Sequence, residues 1–157
     1  MIFIFAQPPL LPAISALLAQ GGLFHADLDG DRIKDFLICR AEGQLAGVVG
    51  MEVRGEVGLL RSLAVAPSFR GRGIASLLLV RIERFAALQG VRRFYLLAQG
   101  APDYFAARGY APLPDAELPE ALRDGALAQH LLAQGAVCLV KPLKARKVPE
   151  ARREMVD

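Results

Sequence analysis

Apolar and polar positions fall into blocks along this chain. Phe36–Arg40, Gln44–Val53 and Val57–Val65 are apolar runs separated by Ala41-Glu42-Gly43 and Arg54-Gly55-Glu56. Short runs bounded by glycine-containing turns predict a three-stranded antiparallel meander. Ahead of it, Ile2–Phe5 reads as a short strand. Leu10, Leu11, Ile14, Leu17 and Leu18 then form a helical stripe over Leu10–Gln20, and Gly21-Gly22 stops it. After the meander, Ile74, Leu77, Leu78, Arg81, Ile82, Phe85 and Leu88 predict a helix from Gly73 to Gln89, ended by Gly90. Phe94–Leu97 reads as a short buried strand and Pro102–Arg108 as a short helix closed by Gly109. Leu118–Leu132 is helical in pattern although it carries Gly125. Tyr110–Leu113 and Val137–Lys141 complete the strands.

A chain of 157 residues suits one domain, placed at residues 1–143. Apolar residues make up 54% of it, yet no run approaches the ~20 that a membrane span needs. The excess is therefore core, and no membrane partner is expected. The first residues have no basic leader, so a secretory peptide is not expected. Cys39 and Cys138 stand far apart in apolar runs without metal-type spacing, which suits small core residues, no bound metal and a cytoplasmic location.

Net charge is +3, and the segment from Lys141 to Asp157, with six basic and three acidic residues, carries all of it. The rest sums to zero. Residues 144–157 read as a basic, flexible tail, and a nucleic-acid partner is not expected.

The densest chemistry lies between the third meander strand and the long helix, in Arg70-Gly71-Arg72-Gly73-Ile74-Ala75-Ser76. A helix start leaves backbone N–H groups unpaired and partly positive. Glycines let a ligand approach that backbone, and Arg70 and Arg72 add full charges. The combination suits a phosphate or pyrophosphate. It is not a Walker loop, which needs Gly-Lys-Ser/Thr, nor a dinucleotide fingerprint, which needs glycine where Ser76 stands. An exposed arginine-rich loop is the alternative.

With Leu63-Ala64-Val65-Ala66-Pro67 ahead of it, this turn resembles the acetyl-CoA signature of the GCN5-related N-acetyltransferases (GNAT). Tyr104-Phe105-Ala106-Ala107-Arg108-Gly109-Tyr110 is similar to that family's short helix and Gly-aromatic step. Leu59–Val65 and Phe94–Leu97 are most similar to two groups within it. These are the small acetyltransferases associated with arsenic resistance and the domain that acetylates the α-amine of glutamate. Ala98 and the segment Asp124–His130 depart from the first group, and both would border the acceptor.

The resemblance implies an α/β (α+β layered) GNAT fold: a central mixed, mostly antiparallel sheet with a splayed parallel strand pair and helices on both faces. It implies that acetyl-CoA, as cosubstrate, lies against Leu63, Ala64 and Val65, with its pyrophosphate on Arg70, Gly71, Arg72, Gly73, Ile74, Ala75 and Ser76. Tyr104 and Phe105 would border it, and the Leu63 N–H would polarise the thioester.

The family's usual strand carboxylate is replaced by Gly58. A three-residue hairpin turn over Arg54-Gly55-Glu56 would set Glu52 opposite Gly58 and make Glu52 the base; a solvated hairpin carboxylate is the alternative. Phe105 takes the place of the usual acid tyrosine, and Tyr104 is turned about 100° from it. Arg61, alone among apolar strand residues, suits the anionic group of an acidic acceptor, or an internal pair with Glu52 or Glu56. The reading is an N-acetyltransferase acting on a small-molecule amine, an amino acid or analogue, with a homodimer left open. A non-catalytic acyl-CoA-binding module and an acetyltransferase of a macromolecular amine are the alternatives.

Overall fold

The three apolar runs form the middle of a seven-stranded sheet. The computed structural model describes residues 1–144, so the rest of the expected basic tail lies outside the described residues. The strands are β1 (Ile2–Phe5), β2 (Phe36–Ala41), β3 (Gln44–Arg54), β4 (Val57–Val65), β5 (Arg93–Ala98), β6 (Ala111–Pro112) and β7 (Val137–Pro142). The helices are α1 (Leu11–Gln20), α2 (Ile74–Leu88), α3 (Pro102–Ala106), α4 (Glu120–Arg123) and α5 (Ala126–Ala133). The strand order is β1-β2-β3-β4-β5-β7-β6. Among the described strands only β4 and β5 pair in parallel; the other neighbours are antiparallel.

Period-two alternation divides the apolar residues between two faces. Leu37, Cys39, Val49, Met51, Leu60, Phe94 and Leu96 meet the stripe of α2 formed by Ile74, Leu78 and Ile82. On the opposite face, Phe36, Ile38 and Val48 meet Ile14 and Leu18 of α1. Leu59, Tyr95, Leu97 and Cys138 meet Leu122, Leu127 and Leu131 of α4 and α5. Both cysteines are buried and unpaired.

Two expectations are corrected. The β3–β4 turn holds two residues, not three, because Arg54 pairs with Val57. Gly55 sits at φ +63°, the left-handed conformation that a tight hairpin turn requires. Glu52 therefore pairs with Leu59, and Gly58 with Val53. The expected helix over Leu118–Leu132 is two short helices parted at Gly125. A Cβ on Gly125 would lie 3.2 Å from Glu52 Oε1, so the break falls where the chain passes close to β3.

Candidate active site

The parallel pairing of β4 and β5 runs only from Val57–Arg93 to Leu60–Leu96. Beyond Leu60 the strands part. The cause lies on the other edge of β4, where Gly50 pairs with Arg61 and Val48 with Ala64. Ser62 and Leu63 together oppose Val49, which makes a β-bulge. Ser62 takes the left-handed φ of +60° there. A bulge bends its strand and increases its twist, so β4 turns away from β5.

The gap is a cavity of about 300 Å³. Leu60–Leu63 of β4 and Leu96–Gly100 of β5 and the residues after it form two walls. Phe105 of α3, Leu23 and Phe24 after α1, and Leu127 and Leu131 of α5 close the others. A second recess of about 220 Å³ runs from Leu23 and Leu63 past Ala64 and Val65 to Arg70. Leu63 lines both spaces.

At the far end of β4, Gly71 and Gly73 both have φ +77°. A Cβ at either would meet no atom within 4 Å, so both glycines face open space. Helix α2 opens directly after Gly73 with no side-chain cap, and its first backbone bond runs from Leu77 N–H to Gly73 C=O at 3.1 Å. The N–H groups of the first turn are thus left for an anion. Arg70 Nε donates to the Val65 carbonyl at 3.3 Å. Arg72 lies over the Phe69 ring and reaches Glu42 at 3.4 Å. The unpaired N–H groups, the open glycines and the two arginines suit an anion such as the phosphate expected here.

Helix α3 sends neighbouring side chains to different places. Phe105 lines the cavity, whereas the Tyr104 hydroxyl lies 3.4 Å from Ser76 Oγ in the first turn of α2. Arg108 binds both, with its guanidinium 3.6 Å from the Tyr104 ring centroid and donating to Ser76 Oγ at 3.0 Å.

Glu52 and Arg61 meet beside the cavity, whose lining includes Arg61 but not Glu52. Arg61 is 2% exposed. It donates to Asp27 Oδ2 at 2.6 Å, to Asp27 Oδ1 at 2.8 Å, to Glu52 Oε2 at 3.0 Å and, through Nε, to Ser62 Oγ at 2.9 Å. Arg32 closes the group, 3.4 Å from Glu52 and 3.7 Å from Asp27. Burial opposes ionisation of Asp27, but the bond and charge of Arg61, with the charge of Arg32, outweigh it and hold the carboxyl below its ordinary value.

Of the two arrangements expected for Arg61, the internal pair is the one found. Its second carboxylate is Asp27 rather than Glu56, which instead lies 3.7 Å from Arg92 at the surface. Glu52 does not share the space of Gly58. A Cβ on Gly58 would press on Phe94 under α2, on the opposite face of the sheet. Asp27, Arg32 and Arg108 were not anticipated. The first two lie in a loop with no apolar period, and the only hint was that a buried Arg61 needs a carboxylate.

Among the described residues, no three His, Cys, Asp or Glu side chains gather to hold a metal ion. Nor is any described helix long and apolar enough to cross a membrane.

A mixed sheet whose one parallel pair splays beside a glycine-arginine helix start is the arrangement that the resemblance implied. Residues 11–111 match the family model described as the acetyltransferase (GNAT) family, and the chain belongs to that family. The amino-acid acetyltransferase of Neisseria meningitidis serogroup A is 31% identical over 121 residues, which are 72% of this chain and 28% of that protein. The amino-acid acetyltransferase of Pseudomonas fluorescens is 31% identical over 116 residues, 71% of this chain and 27% of that protein. The chain thus spans under a third of the length of these relatives.

Among solved structures, the N-acetylglutamate synthase of Neisseria gonorrhoeae, complexed with coenzyme A and N-acetyl-glutamate, superposes with a TM-score of 0.79 at 27% identity. The match covers 91% of this chain and 35% of that one. Rv2747 from Mycobacterium tuberculosis shares the fold with a TM-score of 0.75 at 17% identity, covering 92% of this chain and all of that one.

Proposed function

We propose that this chain transfers the acetyl group of acetyl-CoA to the amine of a small molecule, an amino acid or analogue. One observation carries the reading: β4 parts from β5 at a bulge, and the resulting cavity shares Leu63 with a recess that runs along Ala64 and Val65 to Arg70, just ahead of an uncapped helix start with two left-handed glycines. The named relatives, amino-acid acetyltransferases and an N-acetylglutamate synthase crystallised with coenzyme A, support the same chemistry.

In this reading the phosphates rest on Arg70–Ser76 and the acyl arm runs past Val65 and Ala64. The Leu63 N–H faces the thioester carbonyl, where a backbone donor stabilises developing negative charge. The amine nitrogen attacks that carbon, the C–N bond forms and the C–S bond breaks. CoA leaves as thiolate, and the amine proton passes to solvent or to the thiolate. The two unpaired buried thiols support a reducing, cytoplasmic setting.

A second reading, a binding module without turnover, is favoured by the cavity wall, to which no carboxylate or phenol contributes among the described residues. Release of free CoA from acetyl-CoA across an amine panel separates the two. Amine-dependent release supports transfer; tight acetyl-CoA binding without release supports the module.

A further inference from the structure

We infer that the acceptor amine carries an apolar side chain, not an acidic one. This rests on the transfer reading above and names the substrate class of the same cavity. Much of the cavity wall is formed by Leu23 and Phe24 of the α1–β2 loop, Leu97 of β5, and Leu127 and Leu131 of α5. Phe24 is fixed in that wall by stacking on His130, with ring centroids 4.4 Å apart.

Among the described residues Arg61 is the only charged one in the lining, and its side chain has no exposed surface. Both Asp27 oxygens, one Glu52 oxygen and Ser62 Oγ accept its hydrogen bonds. Arg32 pairs with the same two carboxylates. Two cations and two anions sum to zero, so the group presents no net charge to a ligand.

An acidic side chain entering this space would lose its water and gain no counter-charge, which is strongly unfavourable. An aliphatic or thioether side chain would lose nothing polar and bury apolar surface against leucines. The neutralised Arg61 is thus a specificity device. It closes off the selection of a carboxylate that an unpaired arginine at this position would provide.

The test uses the full chain with acetyl-CoA and matched α-amino acids, so that only the side chain differs. Leucine and methionine are compared with glutamate and aspartate by CoA release, and acetyl-CoA binding is followed separately by calorimetry. Leucine or methionine should exceed glutamate in kcat/KM by about tenfold or more. Glutamate or aspartate as the better acceptor overturns this inference and leaves the transfer reading intact. Bound acetyl-CoA with no release for any amine overturns the transfer reading, and this one with it.

Asp27→Asn gives the group a net charge of +1, and Glu52→Gln does the same if the first variant fails to fold. Either should shift the leucine-to-glutamate ratio several-fold toward glutamate. An unchanged ratio in a folded variant would show that neutralisation of Arg61 does not set specificity.

Discussion

The Arg61 guanidinium grips both carboxylate oxygens of Asp27, 34 residues away in the chain, at 2.6 and 2.8 Å. The pair ties the α1–β2 loop to β4 beside the bulge that opens the cavity. Asp27 is held below its ordinary pKa of 3.8, since Arg61 and Arg32 outweigh the opposing effect of burial. A depressed folded-state pKa gives stability that is complete above the unfolded value and disappears as pH falls through the folded one. Asp27→Asn should destabilise the protein by about 1.5–3 kcal/mol at pH 7, because it takes one of the two carboxylates from the buried arginine and leaves Glu52 as its sole counter-charge. Urea titrations should show the deficit shrinking below about pH 4 as the wild-type carboxyl becomes protonated. A deficit independent of pH would mean that the charge of Asp27 is not what stabilises the loop.

On the other face of the sheet the pH dependence runs the opposite way. Tyr110 is 2% exposed and donates to Glu83 Oε2 at 2.8 Å, while Lys141 donates to Oε1 at 2.9 Å. Burial and the Glu83 carboxylate push the phenol far above its ordinary value of 10.0. The neutral phenol is therefore favoured in the folded protein. Its stabilisation is present below about pH 10 and lost above it, as the unfolded chain ionises first, with a slope near 1.4 kcal/mol per pH unit. Tyr110→Phe should cost about 1.5–3 kcal/mol at pH 7. It should also flatten the loss of stability above pH 10. An alkaline slope as steep in Tyr110→Phe as in wild type would place its origin elsewhere.

The β4–turn–α2 unit was legible because it is local. Period-two runs, alternating glycines and arginines, and a stripe at helical spacing all lie within one stretch of chain. The four-residue ionic group was not legible. Asp27 and Arg32 sit in a loop without period, and a pairing across 34 residues leaves no trace in sequence spacing. The hairpin register missed by one residue because Gly55 permits either a two- or a three-residue turn, and pairing of Arg54 with Val57 decides it. The apolar stripe over Leu118–Leu132 continues across Gly125, so the stripe does not mark the break, which falls where a Cβ would lie 3.2 Å from Glu52 Oε1.

That register error bears on proton transfer. Glu52 is engaged by Arg61 and Arg32 and lies outside the cavity lining. Loss of a general base commonly lowers rates about 10²–10⁴-fold. Glu52→Gln should instead lower kcat by under about tenfold, keep the shape of the pH–rate profile, and reduce thermal stability as the ion pair is broken. Rates measured from pH 6 to 10 decide it, and a flattened profile would restore Glu52 as the base.

Tyr104 is likewise outside the cavity lining. Its hydroxyl meets Ser76 Oγ, and its ring carries the Arg108 guanidinium. Tyr104→Phe keeps the ring and the stack and loses one long hydroxyl contact. Turnover should fall by no more than about twofold, well short of the loss expected for a proton donor. Steady-state kcat at saturating acetyl-CoA is the check, and a hundredfold drop would put the phenol at the thiolate.

The helix start offers the most direct test of acetyl-CoA binding. Gly73 has φ +77°, and a Cβ there would point into open space. Nothing in the protein therefore requires glycine sterically; the backbone conformation and the approach of a ligand do. A β-branched residue in the left-handed region costs about 1–2 kcal/mol in strain. It would also set methyl groups over the N–H groups of the first turn of α2. Gly73→Val should leave the sheet and core folded, with a modest fall in melting temperature, yet weaken acetyl-CoA binding by tenfold or more as roughly 1.4 kcal/mol or more of phosphate contact is lost. Gly22→Val serves as the control, since Gly22 also has a positive φ with open space around it but lies outside both recesses along β4. Calorimetry with acetyl-CoA should show the loss for Gly73→Val alone. Equal affinities for the two folded variants would remove the Arg70–Ser76 turn from the binding site.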